Sequence, residues 1–445
     1  MIGMTNGLTT DGVAQVVKGT VGIEVEMHRA TKTGQLSQYA YPTSLADQRQ
    51  HHFIKNDFLQ TQSELITPAT VSTQQTLTYL GAYQQALRSA LQPEELLWPY
   101  SMPPQLRGDH SDIEIAQTDI DSYYYRLKVA AQRKIERTAE TGVHVNLGLT
   151  YHGLAALQAD TPAASNRYYL SAAAGFYRYR WLLTYLFGAT PLAMPHYFEA
   201  EEPAPKQAVR SIRNSHFGFG NGIPGHYASV QAYVDQITQS VANGDLIAPR
   251  EFYGIVRLKG GTTLTDLVTQ GIAYIELRTL DLDPFEPLGI SEDAVNWVRL
   301  MFAYFVLKGD EPCDAVDAEI AAAELKNEQV ALEAPDQPTA FMNEGLALVD
   351  AVCDFCEGIT LPFNVMTTCQ RMRERLLNPA LTPSARLMTL ANGTGMQETL
   401  ANLAQATHRD LLQRPLIGFE SADKAAQLDE LAALRAGHSW DEMTQ

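Results

Sequence analysis

The chain contains the stretch Gly22-Ile23-Glu24-Val25-Glu26-Met27-His28, in which apolar and polar side chains alternate. Because a β-strand has a side-chain period of two, this alternation predicts a strand with one apolar face and one face that carries two carboxylates and an imidazole. Two carboxylates this close repel each other unless a cation lies between them, and Mg²⁺ is a frequent choice. The alternative is an ordinary half-exposed strand whose polar face meets water.

Three further segments repeat this alternation and place polar side chains on one face. They are 142–149 with His144 and Asn146, 252–259 with Tyr253, Arg257 and Lys259, and 272–280 with Tyr274, Glu276 and Arg278. A solvated surface would normally carry more Lys, Thr and Ser. If these strands belong to one sheet, their polar faces therefore form a shared basin of acids, cations and a histidine.

A further acidic pair, Asp57 and Glu64, lies in the segment 56–68. Taken alone, Asp57 is more typical of a turn or a cap than of a metal ligand, and for Glu64 both interpretations stay open. Oxygen ligands with one histidine suit Mg²⁺ or Mn²⁺ better than zinc. Several carboxylates beside arginines also suit phosphoryl transfer from ATP.

The familiar nucleotide and hydrolase motifs are absent from the sequence. It has no GxxxxGK loop, no GxGxxG after a strand, no HExxH and no GxSxG. The glycine-rich segment 218–222 is interpreted as a flexible turn. The chemistry indicated is therefore metal-assisted, with no activated side-chain nucleophile.

Composition limits the class of protein. The 445 residues have a formal net charge of −18, which argues against non-specific nucleic-acid binding because phosphate backbones need clustered Lys and Arg. No apolar run approaches the roughly 20 residues that span a bilayer, and the N-terminus has no secretory signal. Four cysteines are too few for a disulfide scaffold. We expect a cytoplasmic protein with reduced cysteines that binds neither nucleic acid nor membrane.

The order of predicted elements favours an α+β fold. The strand candidates 21–28, 63–67, 142–149, 252–259 and 272–280 are separated by helices and long loops rather than by regular βαβ units. This predicts a mainly antiparallel sheet with helices packed on one side. Helices are predicted over 72–91, 122–140 and 166–187, and nearly throughout from Ser291 onward, where Gly309 ends the first of them. We expect a catalytic α+β region over 1–290 and a helical region over 291–445 packed on it, together one compact unit.

Five motifs in order resemble bacterial glutamate–cysteine ligase, also called γ-glutamylcysteine synthetase. They are Gly22-Ile23-Glu24-Val25-Glu26, Asp57 through Thr67-Pro68, Leu97-Trp98-Pro99-Tyr100-Ser101-Met102-Pro103, Gly142-Val143-His144-Val145-Asn146 and Tyr274-Ile275-Glu276-Leu277-Arg278. The resemblance covers about residues 20–290, and the helical C-terminal part resembles the family mostly in length and character. It implies a glutamine-synthetase-like catalytic sheet that binds a cluster of Mg²⁺ ions, with ATP as co-substrate.

The resemblance also implies roles for individual residues. The metal shell would be Glu24, Glu26, Asp57, Glu64, His144 and Glu276. Arg278 would contact the transferring phosphoryl group. The substrate site would contain Tyr125, Arg126, Arg213, Phe219, Tyr253 and Arg257, with Arg126 also close to the chemistry and Arg213 holding a substrate carboxylate.

The implied activity is ligation of the γ-carboxylate of L-glutamate to the amine of L-cysteine through γ-glutamyl phosphate, the first step of glutathione biosynthesis. Phe219 departs from the tyrosine of some relatives, which keeps open a related γ-glutamyl ligase with another amine acceptor. A non-catalytic binding protein on the same fold is the third hypothesis. Bifunctional bacterial enzymes add an ATP-grasp module after a ligase part like this one, and the sequence predicts none within these residues.

Overall fold

The computed structural model describes residues 8–47, 51–220, 222–308 and 315–438. Seven strands form one sheet in the order β2-β3-β1-β5-β7-β6, with β4 paired to the end of β1. Every strand pair is antiparallel. The strands are β1 Thr20–Thr31, β2 Ile54–Asn56, β3 Gln62–Ile66, β4 Glu95–Leu97, β5 Val143–Gly148, β6 Val256–Lys259 and β7 Tyr274–Leu280.

All five strand candidates are therefore confirmed as members of one sheet. The short strands β2 and β4 were not predicted, since three residues are too few to show an alternation. The predicted strand 252–259 was too long, because only Val256–Lys259 pairs with β7. Tyr253 consequently lies in the loop before β6 and does not extend the strand.

The apolar face of the sheet forms the core. Ile23, Val25 and Met27 on β1 are at most 1% exposed, and Val145 on β5 is fully buried. These side chains belong to a buried cluster that also contains residues from the helices packed on that face. Burying this face fixes the register of β1, because a slip of one residue would turn its carboxylates into the core.

The described residues contain fifteen α-helices. They are α1 Thr10–Val17, α2 Thr73–Ala90, α3 Ile120–Gln132, α4 Tyr151–Ala156, α5 Pro162–Arg178, α6 Arg180–Phe187, α7 Val230–Asn243, α8 Asp266–Gln270, α9 Glu292–Lys308, α10 Ala315–Ala331, α11 Met342–Phe355, α12 Val365–Leu377, α13 Pro383–Ala391, α14 Met396–Gln413 and α15 Lys424–Arg435. The predicted helix 122–140 is α3 followed by a 3₁₀ turn over Ile135–Ala139, and the predicted helix 166–187 is interrupted at Tyr179.

Helix α9 connects the sheet to the helical C-terminal part. Its start is confirmed, since the Ser291 hydroxyl accepts the backbone N–H of Ala294 at 3.1 Å. Trp297 and Leu300 of α9 lie in the same buried cluster as the strands. The predicted end at Gly309 lies outside the described residues. The division of the chain at residue 290 stays a prediction.

No helix in the described part of the chain is long and apolar enough to cross a membrane.

Candidate active site

The polar face of the sheet lines a cavity of about 450 Å³. The structure brings every predicted site residue to its wall: Glu24, Glu26, Asp57, Glu64, Tyr125, Arg126, His144, Arg213, Phe219, Tyr253, Arg257, Glu276 and Arg278. The carboxylates do not lie on a solvated outer surface, since Glu26 is 9% and Glu276 is 1% exposed. The alternative of ordinary half-exposed strands, whose polar faces meet water, is thus wrong.

Cross-strand register explains why these side chains converge. Glu24 on β1 lies opposite His144 on β5, and Glu26 lies opposite Glu64 on β3. Glu276 on β7 has Asn146 on one side and Arg257 on the other. Directly opposed residues of antiparallel strands have Cβ atoms about 5 Å apart, so each pair interacts.

Glu24, His144 and Glu276 form the tightest group of potential metal ligands in the described residues. One ligand atom from each lies within 4.8 Å of the others. His144 Nδ1 is 3.3 Å from Glu24 Oε2, and its Nε2 is 3.8 Å from Glu26 Oε1. Burial and the nearby Arg278 lower the pKa of His144 to about 4, so the imidazole is neutral at pH 7 and able to ligate a metal.

The other three acids, Glu26, Asp57 and Glu64, are buried beside one another, and their burial and mutual repulsion together exceed what nearby cations such as Arg126 and Lys55 offset. Burial, followed by the charge of Asp57, raises the pKa of Glu26 to about 8. Burial also raises the pKa of Asp57, and it raises the pKa of Glu64 well above its usual range, with Asp57 and Glu24 adding to the effect. A bound divalent cation would remove this repulsion. The oxygen-rich donor set with one histidine therefore fits Mg²⁺ or Mn²⁺.

Glu276 has the opposite environment. Its carboxylate forms ion pairs with Arg278 and Lys259, and Arg257 Nη1 lies 3.8 Å from it. Burial alone would raise the pKa of Glu276, but Arg278, Arg257 and Lys259 hold it well below its usual range. The cavity thus has an acid-rich side, on β1 and β3, and a cation-rich side, on β6 and β7.

Arg213 is held rigidly at the end of β7. Its Nη1 donates to the Leu280 carbonyl at 3.2 Å and its Nη2 to the Arg278 carbonyl at 3.1 Å. The residue that makes room for it is Gly142, where an added Cβ would lie 2.2 Å from Arg213 Nη2. A side chain at this position would therefore push the guanidinium of Arg213 away from its two carbonyl partners.

Helix α3 contributes Tyr125 and Arg126. Arg126 Nη1 donates to the Ala116 carbonyl at 2.9 Å and to the Thr118 hydroxyl at 2.8 Å. The guanidinium of Arg250 lies 3.7 Å above the centre of the Tyr125 ring. The roles of these residues toward a substrate stay predictions.

The sequence placed Asn146 and Lys259 on polar strand faces but gave them no role in the site. Asn146 Nδ2 donates to Glu24 Oε1 at 2.8 Å, and Lys259 pairs with Glu276. Other residues of the cavity were missed. Glu140 and Arg250 also line the cavity but lie in irregular segments, where no local pattern marks them.

The chain is similar to known proteins over most of its length. The sequence model of the family described as glutamate-cysteine ligase matches residues 8–245 and 227–329. A bifunctional glutathione biosynthesis protein of Enterococcus faecalis is 34% identical over 434 residues, which cover 95% of this chain and 57% of that protein. The corresponding protein of Pasteurella multocida is 32% identical over 426 residues, which cover 92% of this chain and 55% of that protein. The chain thus spans little more than half the length of these relatives.

Two solved structures are similar along nearly the whole chain. The bifunctional glutathione synthetase from Pasteurella multocida has a TM-score of 0.88 at 28% identity, with 96% of this chain and 57% of that chain covered. A glutamate–cysteine ligase from Francisella tularensis, solved with AMP, has a TM-score of 0.83 at 22% identity, with 94% and 92% covered. These similarities confirm the predicted fold class, an antiparallel sheet with helices on one side.

Proposed function

The chain belongs to the glutamate–cysteine ligase family, and on that premise we propose that it uses ATP to join the γ-carboxylate of L-glutamate to the amine of L-cysteine. The observation that carries this proposal is that an acid-rich side and a cation-rich side line the same cavity. The reaction would be the first step of glutathione biosynthesis. The curated relatives, named for that pathway, support this assignment.

Mg²⁺ or Mn²⁺ would be held between the acid-rich side and the strands β5 and β7 beside it. Glu24, His144 and Glu276 offer the closest donor atoms, and the other acids of the proposed metal shell are Glu26, Asp57 and Glu64. An ion held by these residues would supply positive charge that offsets the charge of the ATP phosphates. The raised pKa values of Glu26 and Glu64 support a cation at this position, because such an ion would stabilise carboxylates that burial, and then the neighbouring acids, disfavour.

The cation-rich side would act on the transferring phosphoryl group. Arg278 is anchored by Glu276, and its pKa lies above the usual range, so it stays charged throughout. Its guanidinium would stabilise the charge that develops as the γ-carboxylate of glutamate attacks the γ-phosphorus of ATP and ADP leaves. Arg213, held by two backbone carbonyls, would orient a substrate carboxylate.

The second step would consume the acyl phosphate. The uncharged amine of the acceptor attacks the γ-carbonyl carbon of γ-glutamyl phosphate, the C–O bond to phosphate breaks, and the nitrogen loses a proton. The enzyme contributes alignment of the two reactants rather than a covalent intermediate. This agrees with a cavity whose lining includes no cysteine, and whose serine and threonines lack a histidine base in the described residues.

The decisive experiment measures ADP release from ATP with glutamate and a panel of twenty amine acceptors. We expect cysteine among the best acceptors, with no release when glutamate is omitted. A strong preference for another amine would favour the related γ-glutamyl ligase. Phe219, which stands where some relatives carry tyrosine, is the residue that suggests this alternative. A protein that releases no ADP with any acceptor, while still binding ATP, would be the binding protein of the third hypothesis.

A further inference from the structure

One wall of the cavity is aromatic. The Phe219 ring packs edge-on against the Tyr253 ring, with 4.5 Å between their centroids. Phe219 also lines a second cavity of about 480 Å³, whose wall includes Arg133, Lys134 and Arg137. Phe219 therefore separates two cavities, and its position determines the shape of the one that carries the acids.

Local contacts hold the chain just before Phe219. The Gly218 N–H donates to the Ser215 carbonyl at 3.1 Å, and an added Cβ at Gly218 would lie 2.4 Å from the Arg213 carbonyl oxygen. After Phe219, an added Cβ at Gly220 would meet nothing within 4 Å, and glycine leaves the backbone more freedom there. The position of Phe219 therefore also depends on side chains from elsewhere in the chain.

Two side chains from the segment before β5 provide these contacts. Arg137 Nη1 donates to the Phe217 carbonyl at 2.8 Å. Glu140 Oε1 accepts the backbone N–H of Phe219 at 2.9 Å, and the same oxygen accepts the hydroxyl of Tyr197. Segment 217–219 is thus held at both ends by residues 137 and 140.

Tyr197, the other partner of Glu140, is itself tightly packed. Tyr197 is fully buried, and the guanidinium of Arg137 lies 4.4 Å above the centre of its ring. Burial raises the pKa of Glu140 to about 7, although the Tyr197 hydroxyl and Arg213 oppose the rise. The two hydrogen bonds survive either protonation state, because a protonated carboxyl group still has one oxygen free to accept.

We propose that Glu140 is a positioning residue that holds Phe219 in the wall of the cavity and thereby shapes the subsite of the amine acceptor. This inference rests on the proposed function. The acid-rich and cation-rich sides suit phosphates and carboxylates, whereas the Phe219–Tyr253 pair suits the weakly polar side chain of a thiol acceptor. Sulfur–aromatic contacts of this kind are favourable. Glu140 acts through Phe219 rather than by touching the substrate.

Three variants test this role. Glu140→Ala removes the acceptor of the Phe219 N–H, so we expect the KM for the amine acceptor to rise about tenfold while the KM for ATP stays within about twofold. Glu140→Gln keeps a carbonyl oxygen and should restore a KM near that of the wild type. Tyr197→Phe removes one donor to Glu140 but leaves the Phe219 bond, so its effect should be smaller than that of Glu140→Ala.

Amide hydrogen exchange supplies a readout that does not depend on activity. The Phe219 amide should exchange faster in Glu140→Ala than in the wild type or Glu140→Gln, while the amides of β5 stay protected in all three. Unchanged exchange at Phe219, or an unchanged acceptor KM in Glu140→Ala, would overturn the inference. If the wild-type protein shows no acceptor-dependent ADP release, the proposed function fails and so does the acceptor subsite. Faster Phe219 exchange in Glu140→Ala would still show that the contact itself exists.

Discussion

Binding of Mg²⁺ should release a proton, because Glu26 must ionise before it can ligate a metal. Burial and the charge of Asp57 raise the pKa of Glu26 to about 8 in the metal-free protein. Below that pH the carboxyl group is protonated, so each bound ion displaces one proton from Glu26. The apparent Kd for Mg²⁺ should therefore fall about 50-fold between pH 6 and 8, a change of about 2.3 kcal/mol, with the slope flattening as the pH approaches 8.

Isothermal titration calorimetry measures this linkage directly. Titrations at pH 7 in two buffers with different ionisation enthalpies give the number of protons released, which we expect to be about one, and more if Glu64 also ionises. Glu26→Gln should lower that number by about one and flatten the dependence of Kd on pH. A Kd that is independent of pH in the wild type, with no proton released, would refute the assignment of Glu26 to the metal shell.

The same pKa shift has a consequence for stability. The folded-state pKa of Glu26 lies above the ordinary value of 4.5 for glutamate, so the folded protein binds the extra proton between about pH 4.5 and 8. The free energy of unfolding of the metal-free protein should consequently fall as the pH rises through this window. Mg²⁺ should reverse this fall. Adding Mg²⁺ should therefore raise the Tm more at pH 8 than at pH 5.5, and an equal rise at both pH values would contradict the prediction.

Three further predictions concern single residues. Glu24→Gln or Glu276→Gln should lower the rate of ADP formation by about 100-fold or more with unchanged circular dichroism, and activity within a few-fold of wild type for both would contradict the metal assignment. Burial lowers the pKa of His28 to about 4, so the free energy of unfolding in urea should fall by up to about 3 kcal/mol as the pH drops from 6.5 to 4, and His28→Gln should reduce this dependence. Gly142→Ala would place a Cβ 2.2 Å from Arg213 Nη2 and should raise the KM for glutamate about tenfold, whereas Gly22→Ala, whose Cβ would have no neighbour nearer than 3.7 Å, is the matched control and should change it little.

The faces of the sheet could be predicted from sequence because a strand leaves a repeating signal. Glu24, His144 and Glu276 each stand in an alternation that extends over several residues, and the structure places all three on one face. The order of the strands leaves no such signal, since it depends on long-range pairing. That Glu26 faces Glu64 became clear only from the register of β1 and β3.

Residues in irregular segments were the ones that sequence reasoning missed. Glu140 follows a 3₁₀ turn, and its partners Tyr197 and Phe219 lie 57 and 79 positions away. Tyr253 shows the related error, because the alternation was extended through a loop in which strand pairing had not begun. In both cases the side chain lines the cavity because of tertiary contacts, which no local pattern encodes.

Burying the acid-rich side of the cavity lowers the free energy of unfolding. The apolar face of the same strands offsets this loss. Ile23 and Val25 are fully buried beneath Glu24 and Glu26, and each buried side chain of this size contributes about 1.5–3 kcal/mol. Burying the acids works against that gain, because burial raises the pKa of Asp57 and Glu64 and the neighbouring acids add to the rise. A sheet that were optimal for stability alone would replace these acids with paired or neutral side chains. In the proposed function these acids form a preorganised cation site, and the energy of metal binding would offset the cost of burying them together.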